Sequence, residues 1–114
     1  MSRPNLAAWF PKRGEVYWVR LDKRRPALIL SVDALNRHSL DVCLVPLTSI
    51  QHREFSLRVP IAAGEAGLAK SCWAKCDQVS TLPKRLLLPP ALGVIPRATL
   101  LTIENQVRLA LGLV

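Results

Sequence analysis

Arg25 and Thr48 are the residues around which chemistry is most readily built. Arg25 stands where a basic turn enters an apolar run, Asp22-Lys23-Arg24-Arg25-Pro26-Ala27-Leu28-Ile29-Leu30-Ser31. Thr48 closes a second run, Val42-Cys43-Leu44-Val45-Pro46-Leu47-Thr48-Ser49. If the two runs are paired strands, a guanidinium and a hydroxyl converge at one edge of a small sheet. A guanidinium gives planar, bidentate hydrogen bonds to phosphate oxygens where an ammonium gives a point charge. A threonine hydroxyl can donate to a non-bridging oxygen on which charge develops. Together they suit a phosphodiester. An Arg before Pro is ordinarily a solvated turn residue, and a Thr at a strand end an ordinary β-former, so the pattern leaves the plainer reading open.

The charge of the chain points the same way. Among 114 residues, sixteen Lys and Arg face eight Asp and Glu, a formal net charge of +8. A small basic domain gains affinity for a polyanion by releasing its counterions, without any base contact. An acidic protein or an anionic surface could exploit the same charge. Half the residues are hydrophobic, enough for one domain with a core. No stretch approaches the ~18 uncharged apolar residues of a membrane helix, and Pro11, Lys12 and Arg13 cut short the apolar patch around Leu6 to Phe10. No signal peptide or membrane association is expected.

Cys43, Cys72 and Cys76 are odd in number, so a closed disulfide framework is not expected and a reducing cytoplasm fits. They lack the closely spaced ligand pairs of a structural zinc site. Cys43, inside an apolar run, reads as a small core hydrophobe. No metal or cofactor is expected, and no glycine-rich phosphate loop is present.

The elements that would position Arg25 and Thr48 follow from local pattern. Residues 1–12 read as an extension whose Leu6, Trp9 and Phe10 can pack back on a single domain spanning 13–114. Residues 15–21 are rich in β-branched and aromatic types and form a first strand. Pro26 starts a second, where its missing N–H is tolerated, and 27–32 lacks alternation, so that strand is buried on both faces. Residues 33–38 read as a polar excursion or short helix capped by Asp33. Residues 41–48 form the next strand, with Pro46 at an edge or bulge. A polar loop spans 50–56, and strands follow at 57–61 and 71–76, separated by a Gly64–Gly67 turn. Pro83, Pro89 and Pro90 leave only short pieces in 82–95. From Pro96, Leu100, Ile103, Val107 and Leu111 recur at helical spacing, and Gly112 ends the helix. The fold expected is mainly β: a small antiparallel barrel closed or flanked by a terminal amphipathic helix.

Other residues fit a nucleic acid. Lys23, Arg24, Lys84 and Arg85 suit phosphate contacts. Ser31 and Ser49 can position backbone or RNA, and Asp77 and Gln78 can read base edges or satisfy their own loop. Trp18 and Trp73 read as core, since stacking on bases needs exposure. His38 and His52 titrate near neutrality and could run acid–base hydrolysis, but both lie in polar surroundings suited to the surface.

From about Lys12 onward, these elements in this order resemble the MazF/PemK family of bacterial toxins. The resemblance rests on Lys12-Arg13-Gly14-Glu15-Val16-Tyr17-Trp18, Arg25-Pro26-Ala27-Leu28-Ile29-Leu30-Ser31 and Val45-Pro46-Leu47-Thr48-Ser49. It extends to Ala63-Gly64-Glu65-Ala66-Gly67-Leu68, with Lys75-Cys76-Asp77-Gln78-Val79-Ser80-Thr81 and Lys84-Arg85-Leu86 after it. It implies an SH3-like barrel, a homodimer, and sequence-specific, metal-independent cleavage of single-stranded mRNA by attack of the adjacent 2′-OH. It also implies a cognate acidic antitoxin that lies over the RNA groove. By resemblance Arg25 and Thr48 are the matching catalytic positions, the Arg often given an acid–base role in the family. The chain departs from the family in the connection before Arg25, where many members carry a long loop and only Asp22, Lys23 and Arg24 separate Leu21 from Arg25. Two other readings compete: a non-catalytic SH3-like module that binds nucleic acid or poisons a protein such as gyrase, and a degenerate member that has lost activity.

Overall fold

Alternation in β1 (Glu15–Arg20) sends Val16 to one side of a sheet and Tyr17 and Val19 to the other, and both sides are buried. The computed structural model describes residues 9–50 and 57–113. β2 (Arg24–Ile29) pairs antiparallel with β1, Arg25 opposite Val19 and Ala27 opposite Tyr17. Ala27, Leu28 and Ile29 are all buried, so the missing alternation does reflect burial on both faces. One cluster gathers Val16, Leu28, Val45, Ile61, Ile103 and Val107; the other gathers Tyr17, Val19, Ile29, Leu44 and Leu87. β2 begins at Arg24, two residues before Pro26, because the three-residue turn Leu21-Asp22-Lys23 already brings Arg24 opposite Arg20.

β3 (Asp41–Thr48) organises the rest. One edge pairs with β2; the other takes β6 (Ser80–Pro83) along Asp41 to Leu44 and β5 (Cys72–Lys75) at Leu47 and Thr48. β4 (Arg58–Ile61) lies beyond β5, and β7 (Leu87–Val94) beyond β1. The strand order is β4-β5-β3-β2-β1-β7, with β6 on β3 off this path. The sheet is therefore not closed by hydrogen bonds between β4 and β7. Its ends meet by close packing instead: the 3-10 turn Glu65–Gly67, just after β4, presses on the backbone of Leu92 and Gly93 in β7.

β7 departs from sequence expectation, which allowed only short pieces there. Its prolines are accommodated by a register break: Val16 pairs with Gly93 but Trp18 with Leu88. Pro89 and Pro90 fall in the extra length on the β7 side, where no ladder N–H is required.

α2 (Arg97–Leu111) runs between Pro96 and Gly112 and buries Ile103 and Val107. Leu111, at the same spacing, is 54% exposed. A part-buried ion pair, Arg13 to Glu104 at 2.7 Å, ties the start of the domain to this helix. Trp9 packs edge-on against Tyr17 at 6.1 Å, Arg37 lies over the ring of Phe10 at 5.9 Å, and Pro11 is fully buried. Leu6 lies outside the described residues.

α1 (Asp33–His38) is a short helix whose N-cap is Val32, not Asp33. The Asp33 carboxylate instead accepts the Arg13 backbone N–H at 2.7 Å. Asn36, within this outwardly polar segment, is completely buried. Its Oδ1 accepts from the Ser31 hydroxyl, and its Nδ2 donates to the Ser31 carbonyl at 2.9 Å. The Ser31 hydroxyl also accepts from the Cys43 N–H at 3.0 Å. Asn36→Ala would strand these groups in the interior, where an orphaned polar group costs about 1–3 kcal/mol. Thermal melting of that variant is expected to fall by roughly 4–15 °C.

The cysteines divide differently from the sequence reading. Cys43 is only half-buried, its Sγ 3.5 Å from Thr81 Oγ1, whereas Cys72 and Cys76 belong to the core; all three are free. Burial raises the Cys72 thiol and pushes Cys76 up to about 11 from an ordinary 9.0. A raised thiol binds its proton more tightly folded than unfolded. Its stabilising contribution is complete below pH 9.0 and is lost as pH rises through about 11. Burial and the Glu15 carboxylate also raise Tyr17, which adds to the same alkaline loss. A thiol reagent at pH 8 is expected to label Cys43 in the native protein, and Cys72 and Cys76 only once urea unfolds it.

Candidate active site

Arg25 and Thr48 are brought together by strand register. Ala27, Leu28 and Ile29 pair with Pro46, Val45 and Leu44; carried two residues further, the ladder sets Arg25 opposite Thr48. Both point to the face that holds Ala27, Ile29, Val42 and Leu44, since side chains alternate along a strand. Arg25 is half-exposed, and its Nε donates to Asp22 Oδ1 at 3.5 Å. The Lys23 N–H, then Arg25, hold the Asp22 carboxyl below the usual carboxylate range, so the turn keeps an anion beside the guanidinium without burying it. The Ile50 N–H donates to Thr48 Oγ1 at 3.1 Å, which orients the hydroxyl and leaves its proton free to donate.

The pair sits on a saddle between two recesses. A cleft of about 600 Å³ lies on one side, a smaller one of about 190 Å³ on the other, and Arg25, Pro26, Leu47 and Thr48 line both. The larger is bounded by Lys23, Arg24, Arg25, Lys70, Ser49 and Trp18. The smaller includes Lys75 and Ser80. No carboxylate or imidazole lines either recess among the described residues, so the lining is cationic on balance, with Asp22 beside Arg25 the nearby anion. Such a cleft concentrates an anionic ligand and stabilises charge developing on its oxygens.

The structure therefore groups Lys23, Arg24, Arg25, Thr48 and Ser49 at one end of β3. Ser31, Lys84 and Arg85 belong to the other end. Pro83 pairs with Asp41, and Thr48 stands seven residues further along β3, roughly 23 Å at about 3.3 Å per residue. Ser31, expected to position backbone or RNA, does the former, bonded to Asn36 and the Cys43 N–H, and the Lys84 ammonium, expected at phosphate, lies on the Asn36 and Arg37 carbonyls at 2.7 and 3.4 Å, closing the C-terminus of α1. Asp77 and Gln78 form an exposed turn after β5 and line neither recess. His38 is exposed on α1, and His52 lies outside the described residues.

Among the lining residues that were not assigned to the site from the sequence are Lys70, Lys75 and Trp18. Lys70 and Lys75 stood as isolated lysines; β5, which ends at Lys75 and begins two residues after Lys70, pairs with β3 at Thr48, and each lysine lines a recess that Arg25 also lines. Trp18, read as core, is half-buried and borders the larger cleft. Trp73, also read as core, is half-buried opposite Thr48. Among the described residues, no three His, Cys, Asp or Glu side chains cluster so as to hold a metal ion, and no helix is long and apolar enough to cross a membrane.

Fold and site together define a small basic β-domain with a C-terminal helix and a cationic, phosphate-suited cleft at one sheet edge. The chain belongs to the PemK-like, MazF-like toxins of type II toxin–antitoxin systems, whose family profile it matches over residues 12–111. It is 28% identical over 115 aligned positions to endoribonuclease MazF9 of Mycobacterium tuberculosis, covering 90% of this chain and 97% of that protein. An endoribonuclease from a mycobacterial species superimposes with a TM-score of 0.77 at 34% identity, over 92% of this chain and 94% of that one. A mycobacterial endoribonuclease in complex with its cognate antitoxin gives 0.78 at 34% identity, over 91% and 97%.

Proposed function

We propose that this toxin is an endoribonuclease that cuts single-stranded mRNA at Arg25 and Thr48, arresting translation and growth. The observation that carries the reading is their juxtaposition on a cationic saddle between two recesses. An RNA strand crossing the saddle would set one phosphate against both side chains, with its neighbouring nucleotides on either side. The adjacent 2′-hydroxyl gives up its proton to water as its oxygen attacks phosphorus, and the bond to the 5′-oxygen breaks as that oxygen takes a proton from water, giving a 2′,3′-cyclic phosphate and a 5′-hydroxyl. The nucleophile belongs to the substrate, so the protein's task is alignment and charge stabilisation. Arg25 stays charged at any working pH and acts electrostatically on the non-bridging oxygens, with Thr48 donating to one of them. Lys23, Arg24, Lys70, Ser49 and Lys75 hold flanking phosphates and sugars, while Arg85, Asp77 and Gln78 remain available to a longer RNA outside the recesses.

The reading carries partners with it. A cognate acidic antitoxin is supported by the basic charge and by the antitoxin bound to the mycobacterial relative. A homodimer would extend the groove across two copies. The setting is the cytoplasm, where mRNA is accessible and three free thiols stay reduced. A long single-stranded transcript incubated with purified protein and chelator should yield discrete fragments with 5′-hydroxyl ends. An intact transcript, with growth still arrested on expression, would instead favour a toxin acting on a protein target.

A further inference from the structure

Trp18 is placed unlike a core tryptophan. It is half-buried, it borders the larger cleft, and the Arg24 guanidinium carbon lies over its ring, 5.0 Å from the centroid. Its partner across the β1–β2 ladder is Pro26, the residue next to Arg25. The indole is thus fixed by strand register beside the saddle, while Arg24 itself is exposed. Indole and guanidinium are both flat groups on which unpaired bases stack. The rest of the cleft suits a base: Leu47, Leu68 and Leu92 supply an apolar lining, and Lys70 stands at its edge. The smaller recess offers Lys75 and Ser80 but, among the described residues, no aromatic ring. Among the described residues, an aromatic stacking surface is therefore found on the side of the larger cleft.

We propose that Trp18 and Arg24 form a stacking platform that holds the unpaired base next to the scissile phosphate, on the side of the larger cleft. The platform rests on the ribonuclease reading and deepens it: it sets which nucleotide is anchored and aligns the phosphate with Arg25 and Thr48. It is a positioning element, not a catalytic one. A stacked base anchors the strand before reaction and in the transition state alike, so its loss acts on binding more than on turnover.

The test uses a short single-stranded oligoribonucleotide carrying one mapped cut site, and the same oligonucleotide with a 2′-deoxy sugar at that site, which binds but cannot be cut. Loss of stacking on one base is worth about five- to 150-fold in affinity. Trp18→Leu is expected to weaken binding of the deoxy probe and raise KM by that factor, with kcat changed less than about threefold. Trp18→Phe, which keeps a ring, should recover most of the loss, and thermal melting of both variants identifies any misfolding. Trp18→Leu binding within about twofold of wild type overturns the platform, as does equal impairment of the Phe and Leu variants at equal folded fraction. If the wild-type protein cuts no transcript, the ribonuclease reading fails separately; the platform is then judged on oligonucleotide binding alone, by the same comparison.

Discussion

Replacing Arg25 by alanine is expected to lower RNA cleavage about a thousandfold while leaving the melting temperature unchanged. The two halves of this expectation have separate causes. In catalysis, a single preorganised donor aimed at developing charge is worth about 10²–10³ in rate, and arginines on transferring phosphoryl groups reach about 10³–10⁵. Among the described residues, no other guanidinium lines both recesses with Thr48, so none of them substitutes for it. In folding, the side chain is half-exposed and its ion pair is with the more exposed Asp22. Exposed pairs of this kind contribute little to stability. Arg25→Lys separates charge from geometry: it keeps the positive potential but loses the bidentate fork, so activity is expected to fall between alanine and wild type. Thr48→Ala should cost less, about tenfold to a hundredfold, with Thr48→Ser restoring much of it. Single-turnover cleavage of a mapped substrate reads all four variants. An Arg25→Ala protein as active as wild type would remove the pair from the mechanism.

How far the site was legible in the sequence is instructive. The pairing of Arg25 with Thr48 follows from two strong strand signals, each ended by proline-containing, polar boundaries. Strand pairing was the condition on which that meeting depended, and the β2–β3 register supplies it. Local pattern thus named the two strand ends that could meet. It did not reveal which cations join them. Lys70 and Lys75 line the recesses beside β5, whose pairing with β3 joins segments far apart in sequence. Lys84 was misleading for the converse reason: a lysine in a basic cluster resembles a phosphate ligand until α1 is seen to present its open carbonyls to it. Asn36 escaped notice because burial of a polar side chain is invisible without its partner, the Ser31 hydroxyl.

The short turn before Arg25 matters in the same physical way. With Arg24 already opposite Arg20, the connection is too short to fold back over the cleft. Among the described residues, access to Arg25 from that side is therefore governed by Trp18, Arg24 and Lys70 and not by a long β1–β2 loop. The cations of this lining make affinity for a nucleic-acid strand strongly dependent on salt.

The largest expected loss of stability comes from two glycines in the closure between the ends of the sheet. At Gly67, a Cβ would stand 1.9 Å from the Leu92 carbonyl oxygen and 2.5 Å from its carbon. At Gly93, a Cβ would meet the Ala66 carbonyl carbon at 2.5 Å. These obstacles are backbone atoms, which cannot swing aside as a side-chain tip can. Gly67 also has φ +74, where an L-residue is strained by roughly 1–2 kcal/mol. Gly64 separates the two effects, since it has φ +91 but nothing within 4 Å of a built Cβ. Gly64→Ala should therefore cost only the dihedral strain, about 1–2 kcal/mol. Gly67→Ala adds forced separation of the 3-10 turn from β7, and should exceed 4 kcal/mol, approximately the mark of exceptional destabilisation. Gly93→Ala lacks the dihedral strain but meets the same wall, so about 3 kcal/mol or more is expected from backbone displacement. Because the turn and β7 also supply Gly67, Leu68 and Leu92 to the larger cleft, any folded Gly67→Ala protein should bind RNA more weakly as well. Urea unfolding of the three variants decides it: similar midpoints for Gly64→Ala and Gly67→Ala would mean that the sheet ends are not held together by this contact.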